Sequence, residues 1–437
     1  MGSKLAPKQL MQGMRDSFSS LGGSPRHLWL IFAIKFLESL AYFSKSLIFA
    51  IFLSDEFEMS DTEAGLYFGL VGSLTTVYGF FVGPLIDRLG CRNSLVLGSL
   101  LSLVSRIAVG VTTGKLVLWV MAFVVMPIGG CLMIPVMTLA VKGHTNNQNR
   151  GFAFGLFYSV MNVGALASGL MVDALTLLMK EEKYWGMSAN RWVFIVGGLC
   201  SAATLFISVF LLKDKEGGKS ADTKEKFSIW NTVRELLRHK TFWRFVAFTL
   251  ISVNLKSIFR HLDATFPKYM VREHGKNVAK GTIYAINPFM IIFLVPIVSA
   301  ITSNYAPFDC IHFGAYVSSA SVFILAFSTT IEAAVFWIIV LSLGEAIWSP
   351  RFYDYTVSVA PEGKEGTFMA LSSAPLFLAT MPAGILSGHL LEVYCPEEGR
   401  RNSQMMWLII GLVTASSPVL MTLTQRWVRE PMGGKEK

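Results

Sequence analysis

The sequence predicts an all-α membrane protein: twelve transmembrane helices in two six-helix, pseudo-symmetric bundles. Three observations predict it. Of the 437 residues, 53% are hydrophobic and only 15% charged, with a mean hydropathy of +0.51, whereas soluble domains carry about 25% charged residues. The chain holds twelve apolar stretches, each near or above the roughly 20 residues that cross a bilayer. The longest polar loop follows the sixth stretch, splitting the chain six plus six. No segment alternates apolar and polar residues as a membrane barrel would.

In order, the spans are expected at 27–54, 61–83, 93–113, 116–142, 150–180, 191–213, 241–267, 280–302, 309–330, 332–360, 367–394 and 403–428. Those at 27–54, 150–180 and 332–360 exceed a bilayer's need and are expected to tilt or protrude. With the N-terminus inside, the inner segments carry about 22 Lys and Arg and the outer ones about 10, the positive-inside bias. The first outer loop, SDEFEMSDTE, has five acids and no base. The net charge of +9 therefore reads as topology and contact with anionic lipid, not as nucleic-acid binding.

Residues 1–26 form an inner segment without the apolar core of a cleaved signal peptide. The expected organisation continues with a first bundle at 27–213, a linker at 214–240, a second bundle at 241–428 and an inner tail at 429–437. Within the linker, Ile229, Val233, Leu236 and Leu237 recur at i, i+4, i+7 and i+8. That spacing fits an amphipathic helix on the inner membrane surface. The five cysteines (91, 131, 200, 310 and 395) are scattered without metal spacing, and core packing is their expected role. No retention signal ends the chain, so the plasma membrane is the default location, with an organelle membrane as the alternative.

VGPLIDRLGCRN, residues 82–93, links spans two and three on the inner side. It fills a pattern G-x-x-x-D-R-x-G-x-R with Gly83, Asp87, Arg88, Gly90 and Arg92. The glycines permit a tight turn. Asp87 can meet arginines or a helix N-terminus and so latch neighbouring helices at the inner face. This stretch resembles the signature loop of the major facilitator superfamily, although Cys91 stands where the family places a basic residue. The resemblance implies the major facilitator fold, with spans one, seven and ten lining a central cavity. It also makes gates of spans four, five, ten and eleven, where Pro127, Pro135, Pro375 and Pro382 can kink helices.

A narrower resemblance concerns FGLFYSVMNVGAL, residues 154–166, which carries Asn162 and looks like the fifth-span signature of the proton-dependent oligopeptide and nitrate transporter family. GEAIWSP, residues 344–350, is similar to that family's tenth span. In its first-span motif E-x-x-E-R-F this chain has ESLAYF, so Glu38 and Phe43 match while Ala41 and Tyr42 replace the second Glu and the Arg.

Charges at membrane depth cost roughly 3 kcal/mol each on insertion scales and need partners or water. Span one has Glu38 and Lys45, seven apart and on one face, able to bridge to each other or across helices. Span three has Arg106. Span seven has Lys256, Arg260, His261 and Asp263, three of them on one face at i, i+4 and i+7. Span ten has Glu345, Arg351 and Asp354, the last two a possible gate pair. Asp173 in span five is expected near the outer end, in solvent.

The six-plus-six layout and the resemblance imply a secondary active transporter working by alternating access, and the mixed charges point to a small polar solute, anionic or zwitterionic. Lys45, Arg106, Asn162, Lys256, Arg260, Glu345 and Arg351 are the candidate substrate contacts, since basic side chains hold anions. Glu38, Asp263 and Glu345 are the candidate proton carriers, since burial favours a protonated carboxyl. Expected partners are the solute, protons and the lipid bilayer, with no nucleic acid, no cofactor and no metal. The chain is expected to act as a monomer with both termini inside. No Walker-type phosphate loop, G-x-S-x-G or H-E-x-x-H occurs, which argues against an ATPase or hydrolase. The alternative is a non-transporting sensor on the same fold.

Overall fold

A computed structural model describes residues 26–145, 150–179, 182–212, 240–302, 305–359 and 374–429. The expected amphipathic helix of the linker lies outside these residues, as does the start of the eleventh span. The described residues form α1 (Arg26–Phe57), α2 (Asp61–Val111), α3 (Lys115–Gly143), α4 (Arg150–Met179), α5 (Ala189–Leu211), α6 (Lys240–Ala264), α7 (Phe266–His274), α8 (Lys280–Ile301), α9 (Pro307–Phe327), α10 (Ile331–Val359), α11 (Ala374–Tyr394) and α12 (Ser403–Val428). Ten segments among them are long and apolar enough to cross a membrane.

The expected spans two and three are the two limbs of α2, which bends at Gly90. That residue has φ 75° and ψ 177°, a backbone state open to glycine because it lacks a Cβ. The seventh span stops short of its expected end. α6 closes at Ala264, and α7 restarts with Pro267 in its first turn, where a missing N–H costs nothing. Within the apolar helices, hydroxyls turn back onto the preceding turn. Ser99, Ser252 and Thr356 each donate to the carbonyl four residues earlier, at 2.7 Å. This satisfies polar groups where no water is available.

The chain divides into two compact units. The first takes its described residues from Met1–Phe43, Val77–Ala165 and Phe194–Lys219. Its core joins Leu28, Ile31 and Ile34 of α1 to Leu132, Met133, Val136 and Met137 of α3. The second takes its described residues from Ser44–Thr76, Leu166–Val193 and Ser220–Lys437. Aromatic rings fill much of its interior. Trp337 and Trp407 lie 5.0 Å apart by ring centroid, and Phe248 lies 4.1 Å from Tyr355. The far end of α1, the start of α2 and the end of α4 therefore pack with the second half of the sequence inside this unit.

Candidate functional site

The second unit gathers most of the membrane-depth charges. On α6, Arg260 pairs with Asp263 at 3.1 Å, and both are buried. The Asp263 carboxylate also accepts from Tyr284 of α8 and lies in the field of Lys45 of α1. One turn before Arg260, the Lys256 ammonium lies over two rings of α10, 4.3 Å from the Trp348 centroid and 4.7 Å from that of Phe352. Glu345 is in Coulombic range of Lys256. It accepts from Asn287 Nδ2 at 2.8 Å, and the same amide donates to Ser342 Oγ at 3.0 Å. Trp348 is itself fixed by an indole hydrogen bond to Ser318 at 3.1 Å.

Lys45, Lys256, Arg260, Asp263 and Glu345 are thus brought together by α1, α6, α8 and α10. Sequence reasoning missed Tyr284, Asn287, Trp348 and Phe352. Asn287 carried a signal, a carboxamide inside the apolar run IYAINPFMII. Trp348 stands in the GEAIWSP motif, though nothing there marks it as the seat of a cation; Tyr284 and Phe352 carried no signal, because an aromatic residue in a membrane helix is unremarkable until a polar partner meets it. His261 is buried, with Nδ1 2.8 Å from the Thr265 hydroxyl, which donates to Ser387.

The first unit holds a different arrangement. Arg106 binds Glu38 with both terminal nitrogens, at 2.6 and 3.0 Å, and also donates to Ser201. The side chains are only 5% and 9% exposed. Glu38 therefore pairs across helices and not with Lys45. Seven residues share a helix face but stand about 10.5 Å apart along the axis, too far for contact. Lys35, one turn from Glu38 and 4.8 Å over the Phe157 ring, is a membrane-depth cation that the sequence reading overlooked. Asn162 donates to the Tyr158 carbonyl of its own helix.

Arg351 is held elsewhere. It donates to the Ser299 carbonyl and to Thr302 at the end of α8, and pairs with Asp354 at 2.7 Å. Its donors fasten α10 to α8. Of the expected latch, Gly90 makes the bend, Arg88 is exposed, and Arg92 donates to the Ser208 and Val209 carbonyls near the end of α5. There it satisfies carbonyls that a helix terminus leaves open. The Asp87 side chain lies outside the description.

Asp173 corrects the sequence reading. It is 3% exposed, not solvated. Its two oxygens accept from the Gly281 and Thr282 amides at 2.8 and 2.6 Å. The methyl group of Ala279 at the N-cap of α8 cannot accept a hydrogen bond, so a carboxylate 108 positions away along the chain caps this helix. Gly169 and Gly281 allow the approach: a Cβ on Gly169 would lie 2.2 Å from the Gly281 oxygen.

Nearby, Asp61 is clamped by Lys268 at 2.7 Å and by Arg272 at 2.6 and 2.9 Å. Burial pulls the Lys268 ammonium below the ordinary lysine range, and Asp61 pulls it back in part. The Thr62 hydroxyl donates to Glu392 at 2.5 Å. With the Lys268 donation to Ser54 of α1, these contacts join α1, α2 and α4 to α7, α8 and α11 in one polar cluster.

The cluster yields two predictions. Asp173→Ala removes a charged cap, about 1 kcal/mol, and should lower the melting temperature of the detergent-purified protein. Gly169→Leu should drive a side chain into the Gly281 carbonyl and lower the melting temperature further than Asp173→Ala does.

The model of the Major Facilitator Superfamily matches residues 31–384. The chain belongs to this superfamily. A multidrug resistance protein MdtH of Aeromonas salmonicida is 22% identical over 404 residues, covering 92% of this chain and 96% of that protein. A dipeptide and tripeptide permease A of Proteus mirabilis is 27% identical over 196 residues, covering 44% and 38%. Among solved structures, a POT family transporter in complex with 5-aminolevulinic acid superposes with a TM-score of 0.74 at 15% identity, covering 92% of this chain and 97% of that one. A peptide transporter POT in complex with sulfate gives 0.69 at 18% identity, covering 93% and 96%. The fold is the major facilitator fold, twelve transmembrane helices in two six-helix bundles, with the partial likeness to peptide permeases that residues 154–166 indicated. The chain is a multi-pass membrane protein, and its family and fold are those of secondary transporters.

Proposed function

We propose that this major facilitator protein carries a small anionic or zwitterionic solute by alternating access, coupled to protons. The observation that carries the reading is the cluster on α6, α8 and α10. Lys256 and Arg260 supply charge for an anionic group, with Lys45 beside Asp263. Glu345, held by Asn287, is the proton carrier of that site. Asp263 sits between Arg260 and Tyr284 and sets the position of Arg260. Glu38 is the second candidate proton carrier, and Arg106 holds it in place. Arg351, tied to the end of α8 and paired with Asp354, is assigned to a gate.

The Asp61 clamp and the Asp173 cap are the outer gate in this reading. On that assignment both termini are cytoplasmic, a reading that the distribution of Lys and Arg supports. Conventional bundles at 27–213 and 241–428 would then exchange contacts at this gate during the cycle. The structural neighbours in complex with a thioalcohol-conjugated peptide, 5-aminolevulinic acid and sulfate support a solute with an anionic group.

The test is uptake into proteoliposomes. Amino acids, di- and tripeptides, carboxylates, nitrate and sugars are offered with and without an inward proton gradient. Gradient-stimulated uptake of a charged solute is the expected result. Uptake of neutral sugars alone, indifferent to Lys256→Met and Glu345→Gln, would make these charges structural.

A further inference from the structure

We infer that the solute is an organic anion without an ammonium group, because the chain already supplies that ammonium from Lys256. The inference rests on solute binding at the α6–α8–α10 cluster and narrows the solute class within that reading.

The aromatic seat for a cation in this cluster is filled, and Glu345 lies within Coulombic range of it. Two aromatic faces and a carboxylate form the standard surroundings of a primary ammonium. Here Trp348 and Phe352 lie 4.3 and 4.7 Å from the Lys256 nitrogen, and Glu345 is its Coulombic partner. The seat is rigid. Ser318 fixes the Trp348 indole, and Asn287, itself tied to Ser342, fixes Glu345. A solute ammonium entering this seat must expel Lys256 or stand beside it, and two like charges at close range in a low dielectric repel strongly. The other carboxylate offers no second seat, because Asp263 is matched by Arg260 and Tyr284.

The charge count points the same way. Among the described residues this cluster sets three bases (Lys45, Lys256, Arg260) against two acids (Asp263, Glu345). An anionic solute adds to the acids of this set, whereas a zwitterion brings a second cation to rings that already hold one.

Three probes with one ring and different charges separate the cases: phenylpropionate, phenylalanine and phenethylamine. A ligand that binds the folded state raises its melting temperature by mass action. The full-length protein in detergent is melted with each probe, as wild type and as Lys256→Met. In wild type, phenylpropionate is expected to bind about tenfold tighter than phenylalanine, the size of one charge-assisted contact, and phenethylamine not to stabilise. In Lys256→Met the seat is vacated, and phenylalanine is expected to overtake phenylpropionate.

Tighter binding of phenylalanine or phenethylamine than of phenylpropionate by wild type overturns the inference, whether or not the variant folds. So does an unchanged order in a folded Lys256→Met protein, or the absence of stabilisation by every carboxylate from acetate to phenylbutyrate. Stabilisation by phenylalanine or peptides leaves the wider reading of a charged solute intact. Stabilisation by uncharged glycosides alone removes both.

Discussion

Glu345→Gln is expected to abolish solute accumulation driven by an inward proton gradient while leaving solute exchange across the bilayer measurable. Glutamine keeps the size of the side chain and an oxygen that can accept from Asn287, which now donates to Glu345 at 2.8 Å. The local frame therefore survives, and what is lost is the proton site and the negative charge facing Lys256. A transporter moving one proton per solute can accumulate that solute up to about tenfold for each pH unit across the membrane. The variant should reach a ratio near one. Lys256 keeps its two aromatic faces, so solute affinity should fall less than coupling does. The measurement is the ratio of accumulated to external solute at imposed pH differences, set beside exchange at equal pH. If accumulation persists in Glu345→Gln and is lost in Glu38→Gln, the coupling proton belongs to the first unit instead.

Much of this was legible in the residues, and the illegible parts share a cause. Membrane spans can be read because the bilayer demands length and apolarity, and the bend between spans two and three showed itself as two glycines in a charged turn. Lys256, Arg260, Asp263 and Glu345 were conspicuous because charge at membrane depth is costly. Their partners were hidden. Glu38 meets Arg106 across 68 positions, and Asp173 meets Gly281 across 108. Helical periodicity gives the face of a residue but not the helix packed against it. Asp173 was misread for that reason: near a span end, solvent and a neighbouring helix terminus look alike in sequence. The break after Ala264 was visible as Pro267, but a proline in a membrane helix marks a kink as readily as an end.

Arg106→Met is expected to destabilise the protein by on the order of 3 kcal/mol, and Glu38→Gln combined with Arg106→Met to recover most of the loss. Two effects compete. Hydrogen bonds between membrane helices average about 0.6 kcal/mol, because the unpacked helices also find partners in the membrane. An uncompensated charge at that depth costs several times more. Charge wins here, because the guanidinium meets both carboxylate oxygens, with side chains 5% and 9% exposed. Removing it leaves the carboxylate in an apolar surround, with Lys35 one turn away and engaged on the Phe157 ring. Removing both charges leaves a neutral amide and a thioether of similar bulk, which a packed helix interface tolerates. Thermal unfolding of the wild type, both single variants and the double variant gives the coupling energy directly. A double variant as unstable as Arg106→Met alone would show that Arg106 acts through packing and Ser201, with Glu38 incidental to it.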